Sequence, residues 1–266
     1  MKLAPINLTL SNRALSFLLI IALLITVPAL HYDAFGTTDV AQRGSEVFEQ
    51  NKAAVITIRS VISFSFDGTE QEDEMLVNAT LIQPDGLAVL SLALLDPTTL
   101  WQKMGEMPDI PQPEIVRLSM ILADTTEIPA ELILRDNDLD LAFVRPKVLP
   151  DHDVPCVDIK KLSSPSLLEE VVSIQQLGEI VRRAHSVFID RIEAIIERPR
   201  KHYFLGSHRH ESLISSPVFN LDGDFIGIGA IRATKGTQDS DFSDNVMVLV
   251  LSADDIVEVM EQVPER

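Results

Sequence analysis

Cysteine is nearly absent from this chain: Cys156 stands alone among 266 residues, so no intrachain disulfide can form and no redox compartment can be read from it. Its Val-Pro-Cys-Val setting suits a small apolar filler better than a nucleophile. Aromatic residues make up 5% of the chain, which leaves Val, Ile and Leu to build a core. Basic residues are scarce, 22 Lys and Arg against 40 Asp and Glu, for a formal net charge of −18. A surface of that sign repels phosphate backbones and anionic headgroups, so no nucleic-acid partner is expected. Histidine is confined to six positions, and only His31 precedes residue 140. Internal repeats and low-complexity tracts are missing, and nothing in the sequence calls for a cofactor.

What is present is apolar content of 46%, enough for one large or two small domains with a sizeable core. Lys2 and Arg13 precede an uncharged run from Ala14 to Ala29 that ends in Val27-Pro28-Ala29. Basic flank, short apolar stretch and small-residue end are the three parts of a secretory signal, so residues 1–29 read as an export segment cleaved after Ala29. Kept uncleaved, residues 14–30 would serve as a membrane anchor, short of the roughly 20 apolar residues of a comfortable span. Either way the acidic bulk is expected outside the cytoplasm, periplasmic or extracellular, and meeting a membrane only through this segment.

Residues 30–38 read as a linker. Val40, Gly44, Val47 and Phe48 then fall on one helical face, with Thr38 or Asp39 as the cap. Strand-type runs follow: Ala53–Ser60, Met75–Gln83, Leu87–Leu95, Ile115–Ala123, Ile128–Arg135 and Leu139–Val144. Turns are expected at Phe66–Thr69, Pro84-Asp85-Gly86 and Asp136-Asn137-Asp138. Glu70–Glu74 reads as a solvated loop and Trp101–Pro113 as a surface excursion. The proline-rich stretch to Pro155 reads as an inter-lobe linker, dividing lobes of about 39–146 and 156–266. Beyond it lie Val171–Gln175, Ser186–Ile196, Val218–Asn220, Phe225–Ile231 and Val246–Leu251. So many short strands predict an all-β protein. Ser252-Ala253-Asp254-Asp255 has the form of a capping box opening a last helix through Ile256, Val259, Met260 and Val263.

Four landmarks carry a resemblance to trypsin-like serine proteases of the HtrA/Deg type, over roughly residues 40–263. Ile82-Gln83-Pro84-Asp85-Gly86-Leu87-Ala88-Val89-Leu90 resembles the hairpin that leads to the catalytic His. Arg135-Asp136-Asn137-Asp138-Leu139-Asp140-Leu141-Ala142 resembles the segment bearing the catalytic Asp. Ser212–Gly227, with Ser216-Pro217 and the Asn220-Leu221-Asp222-Gly223 turn, resembles the nucleophile segment. Val248–Ser252 and the helix after it resemble the closing element. The resemblance implies two antiparallel β-barrels with short terminal helices; no PDZ domain is expected after them.

It also implies where the triad would fall. The His position is Ala93, the Asp position is Asp140, and the Ser position is Ile214. An apolar side chain can neither take a proton nor attack a carbonyl, so two of three roles are empty. Chain order agrees, because in this family the base precedes the Asp and His31 is the only candidate. The oxyanion-equivalent positions, Ser212 and Ser215, carry side chains where glycine would be wanted. The reading is therefore a catalytically inactive homologue of the cell envelope, acting by binding a protein or peptide. The alternative is an active serine endopeptidase that uses Ser212, Ser215 or Ser216 with His208 or His210. Asp140, without an imidazole to orient, is expected to be partly solvated or to hold backbone donors.

Two further clusters stand out. Lys201-His202-Tyr203 and His208-Arg209-His210-Glu211 read as exposed polar loop, with no metal-site spacing. Arg182, Arg183, Arg191, Arg198, Arg200, Lys201 and Arg209 concentrate positive charge in an acidic protein and form a candidate docking patch for an acidic partner, or for the acidic Glu70–Glu74.

Overall fold

The computed structural model describes residues 37–66, 69–104, 114–206, 210–234 and 245–265. The export segment, most of the linker, Asp67-Gly68, His208 and Arg209 lie outside the described residues. The chain divides into Met1–Val40 and Ala41–Arg266, and the second unit is the one built of barrels. Among the described residues no helix is long and apolar enough to cross a membrane.

Twelve strands form two closed six-stranded antiparallel barrels, the architecture expected of a trypsin-like chain. The first contains β1 (Val55–Phe66), β2 (Thr69–Leu81), β3 (Ala88–Ser91), β4 (Glu114–Ile121), β5 (Glu127–Asp136) and β6 (Leu141–Pro146), in the order β1-β2-β3-β6-β5-β4. The second contains β7 (Glu170–Gln176), β8 (His185–Ile196), β9 (His202–Leu205), β10 (Pro217–Asn220), β11 (Phe225–Ala233) and β12 (Val246–Ser252), in the order β10-β11-β12-β9-β8-β7. Helices α1 (Thr37–Asn51), α2 (Thr98–Met104), α3 (His210–Leu213) and α4 (Ala253–Met260), with 3-10 turns at Lys52–Ala54, Leu92–Leu94 and Glu179–Val181, complete the described elements.

The turn between β10 and β11 shows how local chemistry sets register. The Asn220 side-chain carbonyl accepts from the backbone N–H of Asp222 at 3.0 Å and of Asp224 at 2.8 Å. Gly223 sits at φ +84, where a side chain would be strained. The strands that leave this turn bury Val218, Phe219, Phe225 and Ile226.

One apolar cluster runs through both barrels. It joins Ile56, Leu81, Leu90 and Phe143 of the first to Val172, Phe219, Phe225 and Leu251 of the second, with Val47 of α1 and Ile256 and Val259 of α4. A smaller cluster around Tyr203, Ile192 and Val250 belongs to the second barrel alone. The terminal helices cross over. Near the start of the chain, α1 lies against the second barrel: Arg43 pairs with Asp222 at 2.7 Å, and a Cβ on Gly44 would meet Ile189 at 2.9 Å. At the end, Met260 Sδ accepts from the Gln83 amide at 3.5 Å, and the Pro264 carbonyl accepts from Arg145 at 3.1 Å, both from the first barrel.

Several expectations are corrected. Glu70–Glu74 is strand, not loop: β2 pairs with β1 from Phe66/Thr69 inward, and Arg59 draws Glu74 to 2.7 Å. Strand β3 stops at Ser91, and Leu92–Leu94 forms a 3-10 turn because the Leu92 and Ala93 amides are drawn to Asp140. Part of the presumed excursion is helical (α2), with Met104 buried. The capping box does not close, since Ser252 makes no side-chain bond to the helix backbone, and Asp255 instead accepts from Arg200 at 2.9 Å.

The sharpest correction is β9. His202 and Tyr203, read as exposed loop, are 5% and 0% exposed. β9 pairs with both β8 and β12, and the apolar body of Tyr203 fills the smaller core cluster. Its hydroxyl is buried without a hydrogen-bond partner among the described residues. A buried hydroxyl without a protein partner contributes less than the ring that carries it and can cost stability. Tyr203→Phe is therefore expected to stabilise the protein by about 1 kcal/mol, measured as an upward shift of the urea midpoint at unchanged m-value; a downward shift would show that the hydroxyl is satisfied.

Candidate functional site

Asp140 closes the turn between β5 and β6 at φ +59, a left-handed conformation that Asp tolerates better than most residues. It is 4% exposed. Its Oδ1 accepts from the Ala93 N–H at 2.8 Å. Its Oδ2 accepts from the Ser91 hydroxyl at 2.5 Å and from the Ile231 N–H at 2.7 Å. Its own carbonyl accepts from the Leu92 N–H at 3.0 Å. Of the two alternatives drawn from the sequence, backbone donors rather than solvent hold this group. Ser91 and Ala93 belong to the first barrel and Ile231 to the second, so the carboxyl joins them.

Burial pushes the Asp140 carboxyl above the ordinary carboxylate range, while the donors at Ser91, Ile231 and Ala93 and the nearby Lys103 charge pull it back. Lys103 is itself held below the usual ammonium range, by burial and by Arg232. Its ammonium bonds the Asn137 carbonyl, and the Arg232 guanidinium bonds the Asp138 carbonyl. Two cations thus border the carboxyl.

The segment facing it is α3 and the residues up to Pro217. Ile214 packs into the smaller core cluster of the second barrel beside Leu213. Ser215 follows at φ +62 with no exposed surface. Its N–H donates to the Gly229 carbonyl at 2.7 Å, and its Oγ accepts from the Ser91 N–H at 2.8 Å. Its carbonyl accepts from the Thr80 hydroxyl at 3.0 Å. Ser216, 1% exposed, donates its hydroxyl to the Ser212 carbonyl at 3.0 Å and its N–H to the Leu213 carbonyl at 2.9 Å. The amides of Ser215 and Ser216 are therefore both engaged within the fold. The loop can lie this close to β11 because Gly229 has no side chain: a Cβ there would stand 2.0 Å from the Leu213 carbonyl oxygen.

Two of the three positions singled out by sequence share one network, and the third only adjoins it along the chain. Ala93 is bonded to Asp140 directly. Ile214 precedes Ser215, which Ser91 links to Asp140. Among the described residues, none of the three donors on the carboxyl is an imidazole. His202 stands further along, with Nδ1 on the Arg200 carbonyl at 2.9 Å and Nε2 facing Arg232 Nε at 2.8 Å. Burial, then the Arg232 charge, holds its pKa below the ordinary histidine value. His185 directs Nε2 at the Val55 carbonyl, 3.0 Å away. As built, the arrangement holds two barrels together and leaves neither hydroxyl exposed for attack.

The basic segment is partly neutralised where it stands. Arg183 pairs with Glu179 at 2.7 Å, Arg191 with Glu170 at 3.0 Å, and Arg200 with both Asp255 and Glu258 at 2.9 and 2.6 Å. Arg182, Arg198 and Lys201 have no ion-pair partner among the described residues, and Arg209 lies outside them.

Sequence reasoning passed over Ser91, Thr80, Gly229 and Ile231. Ser91 stands two residues before Ala93, and alternation along a strand would have put both on one face. Gly227-Ile228-Gly229 spaces two glycines within a strand, a sign of close backbone approach. Ile231 acts through its backbone, for which side-chain identity offers no signal.

Compared with known proteins, the chain matches no protein-family model, and no curated protein matches it.

Asp140→Asn tests the carboxyl's role. Asn offers one oxygen and one NH2, so either the Ala93 or the Ile231 N–H would face another donor, and a loss of about 1–3 kcal/mol is expected. The folded pKa lies above the ordinary aspartate value, so the folded state binds this proton more tightly than the unfolded chain. Asp140's contribution is then fullest below the unfolded pKa and declines as pH rises through the folded pKa, whereas Asn does not titrate. Urea unfolding should show a larger deficit for the variant near pH 4 than near pH 7; equal deficits would contradict the raised pKa.

Proposed function

We propose that this chain is a degenerate serine-protease homologue of the HtrA/Deg type, exported to the cell envelope, that acts by binding a protein or peptide and not by cleaving one. The observation that carries this reading is the occupancy of Asp140. In a working triad the carboxylate orients an imidazole, which activates a hydroxyl. Here three donors, the Ser91 hydroxyl and the Ala93 and Ile231 N–H groups, take most of its roughly four acceptor sites, and none of them is an imidazole. The hydroxyl joined to it through Ser91 belongs to Ser215, which is buried and fixed as an acceptor. Electrostatic stabilisation of a tetrahedral intermediate also requires N–H groups aimed at the developing oxyanion, and those of Ser215 and Ser216 are engaged elsewhere.

The double-barrel scaffold supports the family assignment, and the apolar residues at Ala93 and Ile214 support the loss of chemistry. A basic segment remains as one docking surface, through Arg182, Arg198 and Lys201. The purified full chain is expected to resist labelling by a fluorophosphonate probe and to leave casein intact over many hours. Labelling that disappears in Ser215→Ala or Ser216→Ala would overturn the reading in favour of a rearranged serine hydrolase.

A further inference from the structure

Along the seam between β4 and β5 the first barrel is joined by only three residue pairs, Ser119–Pro129, Met120–Ile128 and Ile121–Glu127. Beyond these the two strands part. β4 follows β1 out to Glu114, and β5 follows β6 from Ala130 to Asp136. Each strand thus has one edge paired, and the edges that face each other, Glu114–Leu118 and Ala130–Arg135, are joined to no strand among the described residues. Both strands carry an irregularity at this level: Val116 is passed over in the register with β1, and Ile133 in the register with β6. Such bulges turn a strand away from its neighbour.

The result is a cleft of about 750 Å³ lined by both strands. Ile115, Leu118, Leu132 and Leu134 line it and also pack into the core. Lys147 closes one side and leads to Val148 and Leu149, which are 77% and 55% exposed and line an adjoining cleft of about 320 Å³. Facing rows of unpaired N–H and C=O groups are satisfied by an extended backbone and by no helix, whose own groups are paired internally. Five residues of strand span about 17 Å, which the open edges can accompany.

We propose that this cleft accepts an extended polypeptide segment of a partner as an added strand between β4 and β5, with apolar residues facing inward and acidic residues facing outward at alternate positions. The inference rests on the binding reading above and gives it a place and a partner chemistry. Alternation follows from the strand period, since inward side chains meet the apolar floor and outward ones the rim. The acidic preference follows from charge. Arg117, Arg135 and Lys147 stand with Glu114 and Glu131 around the cleft, a rim far less acidic than a chain of net −18. Arg135 is held by Asp96 at 2.9 Å, while Arg117 and Lys147 have no ion-pair partner among the described residues.

Hydrogen–deuterium exchange of the full chain, with and without the peptide Ac-Val-Glu-Val-Glu-Val-NH2, tests this directly. Exchange should slow over residues 114–118 and 130–135. Arg117→Glu or Lys147→Glu, both at the rim, should leave the urea midpoint unchanged and raise the half-saturating peptide concentration about fivefold. Ac-Val-Lys-Val-Lys-Val-NH2 should bind more weakly still. Absence of protection at millimolar peptide, or a charge-reversed variant binding equally well, would overturn the proposal. Protection confined to residues 212–231 would sink this site while leaving the binding reading intact. Fluorophosphonate labelling alongside protection at β4 and β5 would do the reverse.

Discussion

A carboxyl group removed from water must be given donors or a proton, and Asp140 is enclosed where two barrels meet. Its donors come from both: Ser91 and Ala93 on one side, Ile231 on the other. Much of the surrounding geometry follows from that demand. β3 ends at Ser91 so that the next turn can present the Leu92 and Ala93 amides. Ser91 uses its hydroxyl on Asp140 and its N–H on Ser215, which carries the bonding on to Gly229 and Thr80. Removing any one group would leave another buried and unpaired, which explains why such a network resists piecemeal change.

The same joint explains how a largely aliphatic chain maintains a two-barrel body. The main apolar cluster is continuous between barrels, and the terminal helices cross from the barrel nearest in sequence to the one farther away. Apolar packing supplies the bulk of the attraction but little direction. The bonds at Asp140 and Ser215 fix the relative placement of the loops that pack between barrels.

Much of the fold could be read from residues alone. Gly223 with Asn220, and Gly86 after Pro84-Asp85, announce their turns, and β-branched runs announce most strands. The failures share a cause in pairing partners distant in sequence. Glu70–Glu74 looks like loop because its acidic side chains ignore the strand period, yet β1 supplies a ladder and Arg59 a counter-charge. β9 looks like loop because His202 follows five charged or proline residues, but β8 and β12 flank it on both sides. At the candidate site, sequence pointed to Asp140 and its neighbour Ala93, which the structure joins by a hydrogen bond. The role of Asp140 as a joint was not legible, because two of its three donors are backbone amides. The parting of β4 from β5 was equally hidden, because it depends on bulges set by β1 and β6.

In this double-barrel scaffold the carboxyl, the neighbouring serine and the loop amides all serve cohesion. The measurement that bears on this most directly is a double-mutant cycle between Asp140→Ala and Ser215→Ala, read as the free energy of unfolding. If Ser91 links them in one network, the two losses should fall short of additivity by about 1 kcal/mol or more. Additivity within about 0.5 kcal/mol would show two independent sites and contradict the joint.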